Sequence, residues 1–534
     1  MSGPGAGTAA QADHDAVVIG AGPNGLVAAN LLADAGWDVL VLEAQPTIGG
    51  AVHSDSAVHE GYIHDTFSSF YPLTACSPTI QGLHLERHGL VWRQAPAVVG
   101  TPFDDGSWVM LDHDPGVTAA GLDRHAAGDG DTWLDMVATW RKVAPSLIGA
   151  LLTPFPPVKH GLGLLARLPR VGGLSFVQLL VSSAQSLAGQ FRSEPARVLL
   201  SGSAAHADIP PSAPGSGLMG WLLCMLGQEV GWPVPEGGAG RLAAALGDRF
   251  VSQGGDIRCS TRVRRVLVRD GRAMGVETDD GEVVTVRHAV IADVVAPRLY
   301  GDLVAWEHLP AKLRARMQHF EWDPGTVKVD WALDRPIPWA SAPDRAPGTV
   351  HITESMEHAA VTSAQISSGA VPAEPLLLLG QMTTADATRS PVGTESAWAY
   401  THVPQKVRAD AGGDGIRGVW DFDDSERMAD RMQARVERYA PGFADRIVAR
   451  RVLGPLDLQA RDENLVSGSI NGGTSSLYQQ LIFRPVPGLG RAETPVKGLY
   501  LGSASAHPGG GVHGAPGSNA ARAALGHACL RRLR

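Results

Sequence analysis

The chain has 534 residues, 44% of them hydrophobic and 19% charged, with a formal net charge of -9. That length exceeds one simple core and predicts two or three domains of an ordinary soluble protein. Mixed charges with an acidic balance leave no basic stripe for nucleic acid. Four scattered cysteines, Cys76, Cys224, Cys259 and Cys529, form no C-x-x-C pair, which excludes a redox dithiol or zinc knuckle and fits idle thiols in a cytoplasmic protein.

Residues 1–12 are small and polar and read as a disordered tail, without the basic and then apolar pattern of a secretory leader. An apolar run at 16–19 leads into Gly20-Ala21-Gly22-Pro23-Asn24-Gly25 and then into the apolar stretch 26–32. The order predicted is strand, glycine turn, helix, with a second strand over 38–42 that ends at Glu43. In such a unit the first glycine makes the tight turn, the second lets backbone approach a pyrophosphate, and the third lets helix and strand pack closely. The helix N-terminus offers the phosphates unpaired N–H groups and a positive dipole. Glu43 stands where an acid takes ribose hydroxyls and repels a 2′-phosphate. Gly49-Gly50 supplies a second bare stretch of backbone near the diphosphate.

From about 130 to 230 the pattern is helical and apolar, broken by Pro and Gly at 154–157 and 210–217. The segment 171–191 comes nearest to a membrane span but is interrupted by Ser, Gln and Gly. It fits a buried helix or one lying in a membrane surface. The α/β pattern returns with a helix over 241–252, strands near 263–268, 273–277 and 283–286, and the apolar run 289–292 ahead of Asp293. Strand candidates follow at 326–333, 349–353, 376–381 and 397–402, then a charged helix over 425–439.

The last α/β piece carries His507-Pro508-Gly509-Gly510-Gly511-Val512-His513-Gly514 after the run 499–501. Gly509-x-Gly511-x-x-Gly514 formally repeats the first fingerprint, but no second strand and acid follow it. Its better use is bare backbone laid against a flavin ring, with the N-terminus of a helix from 514 to about 530 behind it. A single dinucleotide fingerprint without a cysteine pair, joined to this turn, favours FAD over NAD.

These residues resemble the phytoene desaturase-like branch of the flavin amine oxidase superfamily. The resemblance rests on Val-x-Ile-Gly-Ala-Gly-x-Asn-Gly-Leu with Leu-Glu and Gly-Gly after it, on Pro235 to Gly238, on Gly254-Gly255-Asp256-Ile257, and on the segment from Gly498 through the C-terminal turn. It implies an α/β protein in which a Rossmann-like FAD-binding domain is assembled from discontinuous segments (13–100, 230–300 and 450–534). A second α+β domain of mixed sheet and helices (101–229 and 301–449) would bind substrate and form a lid. Gly20, Gly22, Asn24, Gly25, Glu43, Gly49 and Gly50 would hold the ADP half, and Val263 would pair its backbone with adenine. Gly502 would approach the ribityl-phosphate region, and Gly510, Gly511 and Val512 the ring. Ala51 stands where relatives often carry Arg, which puts one diphosphate contact in doubt.

The resemblance also implies a dehydrogenase that desaturates an apolar or amphipathic substrate, such as a carotenoid or isoprenoid, by hydride transfer to flavin N5. Oxygen or a quinone would take the electrons, no metal would be involved, and the apolar helices could rest on a membrane. Alternatives are a flavin oxidase of a soluble amine or natural product, and a flavin-bound interaction protein without catalysis. Lys328 resembles the amine-oxidase lysine that holds a water at N5, or is a surface lysine on a half-exposed strand. His507 and His513 flank the glycine run. His507 is either a proton-moving group or a structural hydrogen-bond partner. Arg484 would orient a polar substrate or form a plain salt bridge.

Overall fold

The structure is a computed structural model that describes residues 13–533; the expected disordered tail, 1–12, lies outside the described residues. Two seven-stranded sheets organise the chain. In the first, the strand His14–Ile19 runs parallel to Val39–Leu42 on one side and to the second half of Val283–Ala292 on the other. Asp256–Arg258 extends the parallel set beyond Val39–Leu42, and Leu499–Leu501 extends it beyond Val283–Ala292. The first half of Val283–Ala292 pairs antiparallel with Arg272–Thr278, which pairs with Val263–Arg269.

Side chains alternate as the pleat requires. Ala16, Val18, Val39, Val41, Ala289 and Ile291 face the helices Pro23–Asp34, Gly240–Ser252 and Ala515–Arg532. Val17, Ile19, Leu40, Leu42, Val290 and Ala292 face the opposite core.

The second sheet is mainly antiparallel, in the order Ile447–Leu453, Gly325–Leu333, Glu395–Val403, Leu377–Gln381, Pro347–Ile352, Ala97–Pro102, Trp108–Leu111. Only Pro347–Ile352 and Ala97–Pro102 run parallel. The four expected strands and the charged helix, which spans Phe422–Tyr439 behind an Asp421 N-cap, are all present. The expected domain breaks at 100 and 450 each fall inside a strand of this sheet, because Ala97–Pro102 and Ile447–Leu453 both pair within it.

One face of the Gly325–Leu333 strand presents Val327, Val329, Trp331 and Leu333 to Met428, Ala429, Met432 and Val436 of that helix. The other face presents Thr326, Lys328 and Asp330. In register beside them on Glu395–Val403 stand His402, Tyr400 and Trp398. A helical layer built on Asp129–Leu152, Glu194–Ala204 and Ser216–Glu229 packs around Trp133, Trp140 and Trp221. The segment 171–191 divides into two short helices, Leu174–Val181 and Ala184–Ala188. Phe176, Leu187 and Phe191 are buried while Leu174, Val177 and Val181 are exposed. Among the described residues no helix is long and apolar enough to cross a membrane.

Candidate active site

The first glycine turn is held by a carboxylate on each side. Glu43 accepts the backbone N–H of Ala21 and of Gln45, both at 2.7 Å, so this acid braces the turn. Asp293, which ends the Val283–Ala292 strand, accepts the Gly25 N–H at 2.8 Å. A Cβ on Gly22 would lie 2.7 Å from the Asp293 carboxylate, and one on Gly25 would lie 2.1 Å from the Gly20 carbonyl oxygen. Gly20 has φ +94°, which favours glycine. Gly49 donates its N–H to the Ala21 carbonyl at 2.9 Å, and a Cβ on Gly50 would sit 3.1 Å from the Gly22 Cα. Both paired glycines therefore press bare backbone against the turn.

Val263 lies on the rim of the cleft beside this turn, with Glu43, Asp293, Asp462 and Asn464 on its walls. Residues 461–464, which follow the last strand of the second sheet, close one side of it. The Asn464 side chain accepts the Val295 N–H at 2.9 Å and donates to the Asp293 carbonyl at 3.3 Å. Glu463 bridges Arg262 and Arg298. Sequence reasoning misses Asp293 and this segment; the acid closing an apolar strand run is the signal for the former. Burial, reinforced by the Asp462 and Glu43 charges and only partly offset by the Gly25 N–H, pushes the Asp293 carboxyl up to about 8. Burial likewise takes Asp462 to about 6.

The second glycine turn meets the first through their helices. A Cβ on Gly517 would lie 1.9 Å from the carbonyl oxygen of Asn24, and one on Gly514 would lie 2.8 Å from Val27. Gly502 donates its N–H to the Ala292 carbonyl at 2.8 Å. Thr74 donates to the Val512 carbonyl at 2.5 Å and Ser77 to that of His513 at 2.7 Å. Val512 has φ +52°, a strained value for a β-branched residue and one held by its surroundings. A Cβ on Gly510 would stand 2.6 Å from the Asn471 side-chain oxygen, and one on Gly511 would stand 2.7 Å from Leu73.

Arg484 is fully buried beneath Gly509, yet forms no salt bridge among the described residues. Its guanidinium donates to the carbonyls of Ala504, Thr474 and Asn471 at 2.7–3.0 Å. Burial lowers its pKa to about 10. Asp323 takes the N–H groups of Ile470, Asn471 and Gly473 in the same loop, so a buried acid and a buried base grip that loop from opposite polarities.

These residues fit a dinucleotide-length cofactor. Gly20, Gly22 and Gly50 line the cleft with bare backbone. Ser518 Oγ and both polar atoms of Asn519, at the start of the C-terminal helix, are buried without a partner, and buried polar groups are ordinarily satisfied.

Lys328 is 3% exposed, so the surface-lysine alternative does not hold. Its ammonium pairs with Asp330 and donates to the Asp65 carbonyl at 2.8 Å. Burial lowers its pKa. Burial also opposes the Asp330 charge, but Lys328, His64 and Arg451 hold that carboxyl below its usual range. His507 places Nε2 3.0 Å from the Thr153 carbonyl and leaves Nδ1 buried without a partner. Burial lowers His507 to about 4, so its ring is neutral. His513 accepts the Ala515 N–H at 3.2 Å and caps the C-terminal helix, likewise lowered by burial to about 4. The structure also gathers Asp208, His402, Tyr400, His206 and His351 near the second turn, a group that sequence reasoning misses because it draws on three separate segments.

A Rossmann-type turn braced by acids, a glycine-rich turn closing on it from the far end of the chain, and a second sheet facing both define an FAD-dependent oxidoreductase. Residues 18–83 match the NAD(P)-binding Rossmann-like domain and residues 176–394 match the flavin containing amine oxidoreductase family. The chain is 30% identical, over 95% of its length and 93% of the relative's, to pyridine nucleotide-disulfide oxidoreductase domain-containing protein 2 of Mus musculus. It is 23% identical to one subunit of the limonene dehydrogenase of Castellaniella defragrans (95% and 94% covered). It is 26% identical to phytoene desaturase of Cercospora nicotianae (93% and 86% covered). A putrescine oxidase structure superposes with a TM-score of 0.61 at 18% identity, covering 97% of this chain and 99% of that one, a likeness of fold. The chain belongs to the flavin amine oxidase superfamily, in the family of pyridine nucleotide-disulfide oxidoreductase domain-containing protein 2.

Two outcomes follow from the cofactor cleft. Gly22→Asp sets a carboxylate against Asp293 and the diphosphate position, and the purified variant is expected to be colourless; flavin at wild-type stoichiometry would contradict the assignment. The Asp293 carboxyl holds a proton in the folded state that the unfolded chain releases near its ordinary pKa of about 4. Its contribution to stability therefore falls as pH rises from about 4 to about 8. Asp293→Asn keeps the neutral shape, so the thermal midpoint of the apoprotein variant is expected to gain on wild type across that window. Parallel curves would refute it.

Proposed function

We propose that this oxidoreductase dehydrogenates an apolar or amphipathic, lipid-like substrate beside the second glycine turn, against the Trp398, Tyr400, His402 face of the second sheet. The observation that carries the reading is an exposed apolar surface rooted at that turn. His507 ties the turn to Thr153 at the end of the helix Asp129–Leu152. The next helices, Val158–Arg167 and Leu174–Val181, leave Val158 65%, Leu162 60%, Leu165 60% and Leu174 72% exposed. Lys159 and Arg170 stand exposed alongside them. Apolar side chains spaced on one helix face beside cations suit a membrane surface, from which a lipid-like substrate would enter.

FAD, when bound, supplies the two-electron acceptor for a hydride from a substrate carbon. Gly20, Gly22, Gly25, Gly49 and Gly50 would hold its diphosphate, Glu43 its ribose, and Ser518 and Asn519 would find partners on it. Gly510 and Gly511 keep the turn free of side chains. Val512 is locked by Thr74. Trp398 and Phe70, with ring centroids 6.1 Å apart, would help to exclude water there. Lys328 has two of its three N–H groups engaged and the third available to hold a water. His507 offers Nδ1 as a neutral acceptor. Oxygen or a quinone would receive the electrons.

Anaerobic bleaching of the holoenzyme's visible flavin absorbance tests the reading. Long isoprenoids are expected to bleach it and short diamines to leave it unchanged; the reverse order would establish an amine oxidase instead. The holoenzyme is expected to float with anionic vesicles, and a Leu162→Ser, Leu165→Ser, Leu174→Ser triple variant to stay at the bottom. Wild-type protein left wholly at the bottom would remove the membrane from the proposal.

A further inference from the structure

The second sheet turns an unusual set of side chains toward the second glycine turn. Trp398 and Tyr400 stack at 5.9 Å, and Tyr400 meets the His402 ring edge-on at 5.5 Å. His402 Nε2 lies 2.5 Å from Asp208 Oδ1, while Asn471 donates to the other Asp208 oxygen and backs onto Gly510. Asp208 has φ +58°, a value of restricted access held at a buried position. Burial disfavours the His402 charge, but the neighbouring Asp208 carboxylate outweighs it and raises its pKa; burial raises that of Asp208. The pair is compensated and leaves no net charge to bind.

The free hydrogen-bonding capacity lies next to it. His206 Nε2 and His351 Nε2 are 3.0 Å apart, so one of them carries the shared proton, and His206 Nδ1 lies 3.4 Å from the Tyr400 hydroxyl. Burial lowers His206 to about 3 and takes His351 well down, so both rings are neutral. His351 Nδ1 is buried, without a partner, and packed against Gly202.

If His206 gave the shared proton, His351 would carry its own on that enclosed Nδ1, stranding an N–H. If His351 gives it, only a lone pair is enclosed there, the smaller loss. His206 then accepts at Nε2 and donates from Nδ1 to the Tyr400 oxygen. The Tyr400 O–H is left over, on a part-exposed side chain, with no acceptor among the described residues.

We propose that the Tyr400 hydroxyl is the donor of a binding site for an oxygen-bearing lipid-like molecule, whose carbonyl or hydroxyl oxygen it takes while Phe70, Trp232 and Trp398 line the apolar body. This rests on the dehydrogenase reading and narrows its substrate class from hydrocarbons to oxygenated ones.

The test titrates holoenzyme with geranylgeraniol, the corresponding aldehyde and the hydrocarbon of the same skeleton, anaerobically, reading binding as a shift of the flavin spectrum. One hydrogen bond predicts about tenfold tighter binding of the oxygenated probes. Tyr400→Phe is expected to abolish that advantage and leave hydrocarbon affinity unchanged. His206→Leu, which frees the hydroxyl to turn, is expected to weaken it and serves also if Tyr400→Phe loses flavin. Equal affinity of all three probes for the wild type, or an undiminished advantage in both variants, overturns the site. Discrimination without bleaching by any probe sinks the dehydrogenase reading and leaves the site standing; bleaching without discrimination does the opposite.

Discussion

The backbone contact between Asn24 and Gly517 is the constraint on which the rest of the molecule depends. The carbonyl of the first helix turn occupies the space that any side chain at 517 would need, so two helices from opposite ends of the chain start from one point. Their strands flank Val283–Ala292 on either side, His14–Ile19 on one edge and Leu499–Leu501 on the other. The positive dipole ends of two helices are thereby brought together, which suits a ligand with an anionic middle. Such a site cannot exist in either half alone. Its formation waits on the most distant pairing the topology contains.

That geometry explains what can be read in advance. The glycine turns are legible because close backbone approach and positive φ exclude other residues at fixed spacing. The strands are legible because their apolar residues alternate. Glu43 stands beside the turn as its spacing predicts, yet its bonds to the Ala21 and Gln45 N–H groups add a bracing role that no motif encodes.

The misreadings have equally physical causes. Sequence alone divides Lys328 between a surface and a catalytic position, although Lys-x-Asp on a strand already puts ammonium and carboxylate on one face. Arg484 pairs with carbonyls rather than an acid, and backbone partners leave no trace in side-chain pattern. The domain breaks at 100 and 450 cut strands because hydrophobic alternation does not say which of two sheets a strand joins. Asp208 lies too far in the chain from Tyr400 and His402 for any local signal to group them.

Between the two sheets lies a layer of buried charge. Arg451 joins Asp330 to Asp55, and Arg389 joins Asp65 to Asp386. Asp55 and Asp65 follow the first glycine loop, whereas Asp330 and Arg451 lie on strands of the second sheet and Asp386 and Arg389 between two of its strands. Desolvating such groups is costly, and well-packed apolar residues would often be as stable. What the pairs supply is a single register: a slip of one residue on either side would strand a buried charge, at about 3–5 kcal/mol for each broken pair. Apolar contacts would tolerate that slip more readily. Tyr400 and His402 lie on the strand paired with the one that carries Lys328 and Asp330, so these ion pairs also set where that face stands relative to the second glycine turn.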